Sequence, residues 1–125
     1  MLALALLTWR SGDSNAAAHR LGRALDEALA MGDFQACSYM LHLAIPVLAA
    51  GERWQTALAI DDAQTDGTVP APAFSQEDVA EARKRAIDVC RASLSTGPAD
   101  QGVAGRDRDA IIRYAITELE ALSQR

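Results

Sequence analysis

The sequence is short of cysteine and of positive charge, and each shortage excludes a class of protein. Two cysteines in 125 residues are too few for a disulfide-stapled fold. Cys37 and Cys90 lie in apolar stretches without metal-ligand spacing, so we expect buried free thiols in a reducing compartment. A net charge of -5 argues against direct binding of nucleic acid by this segment, because a phosphate backbone requires a basic surface.

Long apolar runs and bulky aromatic side chains are scarce as well. The apolar run over residues 1–7 is too short to span a bilayer and lacks the basic region that precedes a signal-peptide core. We therefore expect a cytoplasmic protein without membrane contact. Half of the residues are apolar but only 5% are aromatic, which favours alanine-rich helices that pack closely around few large anchors in a single domain.

Three glycines followed by an acid divide the first half of the chain into segments of similar length. Gly12-Asp13, Gly32-Asp33 and Gly51-Glu52 are separated by twenty and nineteen residues. Glycine tolerates the left-handed conformation that ends a helix, and an acid suits the positive N-terminus of the next one. Two such units give a repeat of about forty residues, within the range of tetratricopeptide repeats.

Apolar periodicity predicts an all-α fold of about six helices, arranged as antiparallel hairpins in a tetratricopeptide-like α-solenoid or in a compact bundle. Pro46 is expected to kink or end the third helix. A capping box at Ser75 and Asp78 is expected to start the fifth. The domain is divided into hairpins over 1–67, a proline-containing linker over 68–74 and a final helical pair over 75–125. The predicted helices cover about 1–10, 14–31, 34–50 and 53–64, then one from 75 and a last one that ends near 122.

Several segments resemble the C-terminal helical region of LuxR-type ATPase transcriptional regulators, including those with an adenylate-cyclase-like domain. The segments that carry the resemblance are Gly51 to Ala63, the loop with Pro70 and Pro72, Glu81 to Ala92, the Gly105-Arg106 turn, and Ala110 to Ile116. The chain departs from the family pattern at Ile60-Asp61-Asp62 and in the short spacing from Gly105 to Ala110. The resemblance implies a sensing or docking module for signal transduction, with ATPase and DNA-binding parts on other segments.

No residue pattern predicts a catalytic, cofactor-binding or metal site. His19 is expected on a solvent-exposed helix face, and His42 is expected to be a buried or rim histidine. Neither has other potential metal ligands at a suitable spacing in the sequence. Ser38 lies one helical turn before His42, but an orienting acid is missing. We expect the Asp61-Asp62 pair to be solvated, with a cation or basic partner as the alternative, and the run 83–85 to be an ordinary charged face.

Two functions are compatible with these patterns, and neither is enzymatic. The first is a protein-interaction module that contacts a partner or a second copy of itself through the apolar first helix, at Leu2, Leu6 and Trp9, because large apolar patches usually mark interfaces. The second is a small-molecule sensor with a groove between the third and fifth helices, near His42 and Trp54. Trp9 and Trp54 are also compatible with simple packing anchors.

Overall fold

The computed structural model describes residues 2–73, 75–94 and 107–124, without the side chains of residues 2 and 3. Within these ranges the chain forms six α-helices and no β-strand, which confirms the predicted all-α fold. The predicted loop over 95–106 and position 74 of the predicted linker lie outside the described residues. The helices are α1 (Leu2–Arg10), α2 (Ser14–Met31), α3 (Phe34–Ala50), α4 (Trp54–Asp66), α5 (Glu77–Leu94) and α6 (Arg108–Ser123).

The first two glycine-acid turns adopt the conformation that the sequence predicts. Gly12 and Gly32 have φ values of 90° and 71°, in the left-handed region. Asp13 and Asp33 are the N-caps of α2 and α3, and each carboxylate accepts a hydrogen bond from the backbone N–H three residues later, at 3.0 and 3.1 Å. These turns end one helix and start the next with three and two residues between the helices.

The third turn corrects the prediction, because the left-handed residue is not the glycine. Gly51 has a φ of -91°, whereas Glu52 has a φ of 62°. A Cβ atom on Gly51 would lie 2.7 Å from Cδ2 of Leu122 in α6, closer than real side chains pack. Glycine is therefore needed at position 51 for the close approach of α6.

Helix α3 is the centre of the molecule, since it contacts each of the other five helices. It is apolar on nearly every side and is buried without interruption from residue 40 to residue 49. Helix α6 lies along α2 and also contacts α3 and α4, and it buries an apolar face that includes Ile112, Ile116 and Leu119. At the α2–α6 contact, Gly22 faces Leu119, and a Cβ atom on Gly22 would lie 3.6 Å from the Cβ of Leu119, an ordinary contact distance.

These contacts make the fold a compact six-helix bundle, the second of the two expected arrangements. In a solenoid each repeat contacts only its neighbours. Here α6 returns to α2 and α5 returns to α3, so one apolar core includes residues from both sides of the predicted linker. The tetratricopeptide-like spacing of the glycines sets the helix lengths, while the last two helices close the structure.

Three local predictions differ from the structure. Helix α3 continues through Pro46 to its predicted end at Ala50, so of the two effects expected at Pro46, a kink or an early end, the early end is wrong. Helix α4 extends to Asp66, two residues beyond its predicted end. Helix α5 begins at Glu77, which leaves Ser75 outside the N-cap position; the carboxylate of Asp78 binds Arg10. None of the helices in the described ranges combines the length and apolar character that crossing a membrane requires.

Candidate ligand-binding site

A cavity of about 210 Å³ lies over α3, between α1 and the start of α5. It forms because α1 and α5 each pack against α3 while their backbones stay apart. A bidentate ion pair between Arg10 and Asp78, at 2.7 and 3.0 Å, bridges this gap at the surface, and its hydrogen bonds lower the pKa of Asp78. The cavity is lined by Leu6, Tyr39, His42, Leu43, Ser75, Gln76 and Val79.

His42 is a polar residue in a mainly apolar wall. The residue is 9% exposed, and Nδ1 lies 2.7 Å from Nη1 of Arg83 in α5. The other ring nitrogen, Nε2, is buried, and the described part of the chain offers it no hydrogen-bond partner. A buried polar atom without a partner costs free energy of folding, so Nε2 of His42 makes this cavity the candidate site.

Arg83 connects the His42 ring to two polar side chains of α4. The same Nη1 donates to Oε1 of Gln64 at 2.5 Å, and Nη2 donates to Oδ1 of Asp61 at 2.8 Å. Gln64 in turn donates to the backbone carbonyl of Ser38 at 3.1 Å. The Arg83 and Asp61 side chains are only 16% and 17% exposed, so this ion pair is much less screened than a surface pair. The network joins α3, α4 and α5 behind the cavity.

Burial and charge keep the His42 ring neutral. Loss of hydration is the larger cause and the neighbouring Arg83 charge the smaller, and together they lower the pKa of His42 to about 4. Burial also raises the pKa of Cys37 and of Cys90, which are free and buried as the sequence predicts. Both thiols are therefore poor nucleophiles at neutral pH.

The structure brings only some of the sequence-predicted groove and interface residues to the cavity. His42 and Leu6 line it, whereas Trp54 lies at the start of α4, partly buried against the core, and is not among the lining residues. Trp9 also packs partly buried against the core. The side chain of Leu2 lies outside the described residues. On α1 the exposed large side chains are instead Leu4 and Leu7, at 46% and 61%.

The charged part of the site is the part that sequence analysis missed. Asp61 was expected in solvent and Arg83 on an ordinary charged face, but the two form a pair inside the bundle. Arg83 lies four residues after Val79 and four before Ile87, both buried, so it occupies a position on the inward stripe of α5. The sequence does contain one indication of this pair, an arginine among the inward-facing positions of α5. A charge at such a position requires a polar partner on the facing helix.

The other polar candidates do not converge on the cavity. Ser38 donates its hydroxyl to the carbonyl of Phe34 at 3.0 Å, one turn back in α3, and His19 is exposed. Within the described ranges, no group of three or more His, Cys, Asp or Glu side chains is placed to hold a metal ion. Among the described residues, the polar side chains that do converge are those of the His42–Arg83 network beside the cavity.

Comparison of the chain with protein-family models, with characterised proteins and with solved structures finds no match.

Proposed function

We propose that this protein binds a small molecule in the cavity between α1, α3 and the start of α5, and that it acts as an effector-sensing module. The observation that carries the proposal is the buried, unpartnered Nε2 of His42 in a residue that lines an apolar cavity. Binding sites for small molecules typically combine apolar walls with a few polar groups that orient the ligand.

The surroundings of His42 support a binding role for this residue rather than that of a general base. Nδ1 is occupied by Arg83, and the pKa of about 4 leaves the ring a poor proton acceptor at neutral pH. The network behind the ring also offers a route by which a bound ligand affects the rest of the bundle, since it joins α3 to α4 and α5. The resemblance to helical regions of LuxR-type regulators supports placing such a sensor in a transcriptional regulator.

The proposal is tested by thermal shift with a library of small apolar and carbonyl-containing compounds. A ligand that binds only the folded state raises the free energy of unfolding, by about 2.7 kcal/mol when its concentration is a hundredfold above Kd. The melting temperature rises as a result. We expect hits on the unmodified chain and loss of those hits in Val79→Phe, which fills the cavity from the first turns of α5.

Val89→Phe is the matched control, because Val89 is on the same helix but 50% exposed. It is expected to keep the wild-type response. A library without hits, or hits that persist in Val79→Phe with the fold intact by circular dichroism, would contradict binding at this cavity.

A second candidate function, contact with a second copy of the chain, is favoured by the exposure of Leu4 and Leu7. These leucines are three residues apart and therefore neighbours on one face of α1. Sedimentation at micromolar concentration should then show a dimer that Leu7→Glu weakens by at least about tenfold. A strictly monomeric wild-type chain would dismiss this candidate.

A further inference from the structure

The hydrogen bond to Arg83 determines which ring nitrogen of His42 carries the proton. A guanidinium group can only donate, so the 2.7 Å contact requires Nδ1 of His42 to accept. In a neutral imidazole the proton is then on Nε2. With a pKa of about 4 the ring is neutral at physiological pH, and Nε2 is a donor.

This donor has an unmet requirement for an acceptor. Nε2 is buried, and within the described residues no oxygen or nitrogen lies in hydrogen-bonding position. The Arg83 charge on the far side of the ring polarises the N–H bond and makes it a stronger donor. An oxygen atom on a ligand in the cavity would satisfy it.

The charge balance of the site favours a neutral ligand. With the His42 ring uncharged, none of the seven lining side chains carries a charge, and the Arg83 guanidinium is matched by Asp61 at 2.8 Å. A carboxylate would therefore lose its hydration without gaining a cation. At Nε2 of His42 an ammonium group would meet a donor instead of an acceptor.

The size of the cavity limits the apolar part of the ligand. A cavity of about 150 Å³ accommodates benzene. The cavity of about 210 Å³ therefore suits a somewhat larger body, on the order of eight to ten non-hydrogen atoms.

We infer that the ligand is a small neutral molecule with a ketone or amide oxygen on a compact apolar body, and that this oxygen accepts a hydrogen bond from Nε2–H of His42. The inference rests on the proposed function, ligand binding at this cavity, and adds to it the direction of the hydrogen bond and the charge of the ligand.

The decisive experiment compares three probes of nearly identical shape, with dissociation constants measured by NMR titration of the isotope-labelled chain. Acetophenone carries the carbonyl oxygen, α-methylstyrene replaces that oxygen with a methylene group, and benzoate is anionic. We expect acetophenone to bind about tenfold more tightly than α-methylstyrene, the range of one neutral hydrogen bond. Benzoate is expected to bind more weakly than acetophenone.

The outcomes separate this inference from the proposed function. Equal affinity for acetophenone and α-methylstyrene, or tighter binding of benzoate, would overturn the inference and leave binding at the cavity in place. Failure of all three probes and of the compound library would instead reject the cavity as a binding site, and the inference with it.

Two variants of His42 link the preference to the ring. His42→Gln retains an N–H donor and should keep the preference for acetophenone, whereas in His42→Leu the affinity ratio of the two neutral probes should fall to about one. A measurement on the unmodified chain is independent of how these variants fold. Long-range nitrogen–proton correlations of the His42 ring should place the proton on Nε2, and a proton on Nδ1 would overturn the inference.

Discussion

A single guanidinium group satisfies three side chains at the centre of the polar network. Arg83 hydrogen-bonds to His42, Gln64 and Asp61, and the rest of the inward stripe of α5 is apolar. Removing one partner of a largely shielded ion pair is costly, because the remaining charge stays partly desolvated and loses its main compensation. Substitution of Arg83 should therefore lower the stability of the protein more than substitution of the exposed charged residues beside it.

We predict that Arg83→Met lowers the free energy of unfolding by about 1–3 kcal/mol, since it removes the donor of two hydrogen-bonding atoms and leaves Asp61 with only the exposed Arg91, at 3.9 Å, as a nearby cation among the described residues. Urea denaturation measures the change. Lys84→Met is the matched control, because Lys84 is the exposed next residue, and it should stay within about 0.5 kcal/mol of wild type. Similar losses for the two variants would show that the buried pair contributes little.

The low pKa of His42 makes stability depend on pH. In the unfolded chain the imidazole takes up a proton near pH 6.5, while in the folded chain it resists protonation down to about pH 4. The unfolded state thus binds more protons between these values, so the His42 contribution is complete above pH 6.5 and is lost as the pH falls towards 4. Below about pH 4 the ring is protonated in both states, so further acidification changes the stability no more through His42.

We therefore predict that the wild-type chain loses about 1–2 kcal/mol more stability between pH 7 and pH 5 than His42→Gln does. Urea unfolding at the two pH values measures the difference. His19→Gln, at an exposed histidine, should behave like wild type. Parallel pH dependence in wild type and His42→Gln would contradict a depressed pKa at this residue.

At the scale of helices and turns, two glycines that both face α6 have opposite roles. Gly22 is inside α2, and a Cβ there would meet the Cβ of Leu119 at 3.6 Å, an ordinary packing distance. A Cβ on Gly51 would overlap the side chain of Leu122, which is only 2% exposed. The same substitution should therefore have opposite effects at the two positions.

We predict that Gly22→Ala stabilises the protein by about 0.5–1 kcal/mol, because alanine restricts the unfolded chain and favours the helix. Gly51→Ala should destabilise it by about 1–3 kcal/mol through overpacking against α6. Thermal and urea unfolding of the pair provide the measurement. A neutral Gly51→Ala would mean that Leu122 moves aside at little cost.

The helices could largely be predicted from the sequence, because the patterns that define them lie within short stretches of the chain. The glycine-acid turns and the apolar stripes depend on residues close in sequence, so α2 and α3 have the predicted boundaries. Glu52 in the left-handed region was not predictable, because the glycine beside it is needed for contact with α6.

The site could be predicted only in part, since it depends on distances between helices. His42 was a candidate from its place in the apolar third helix. Its pairing with Arg83 follows from how α5 crosses α3, and the cavity follows from the gap between α1 and α5. Periodicity indicates which side of a helix turns inward, but it does not specify the facing helix or the space left between them.

At the scale of the whole molecule, closure by α6 distinguishes this bundle from a repeat array. Leu119 of α6 is fully buried and lies against α2. The two tryptophans are on different helices, Trp9 on α1 and Trp54 on α4, so their fluorescence can follow the unfolding of each helix. In a solenoid, stability is a sum of local terms, and terminal units can unfold separately. A closed core with helices from both ends of the chain should unfold in one transition.

We predict that Leu119→Ala lowers the free energy of unfolding by about 3 kcal/mol, the cost of a cavity at a buried leucine. Tryptophan fluorescence follows unfolding in two backgrounds: Trp54→Phe, which leaves Trp9 as the reporter, and Trp9→Phe, which leaves Trp54. The loss of stability should be the same in both. Arg113→Ala, at an exposed position of α6, is the control and should leave both midpoints unchanged. If Leu119→Ala shifts the Trp54 transition and spares that of Trp9, α1 unfolds independently of α6, and the array description would replace the closed bundle.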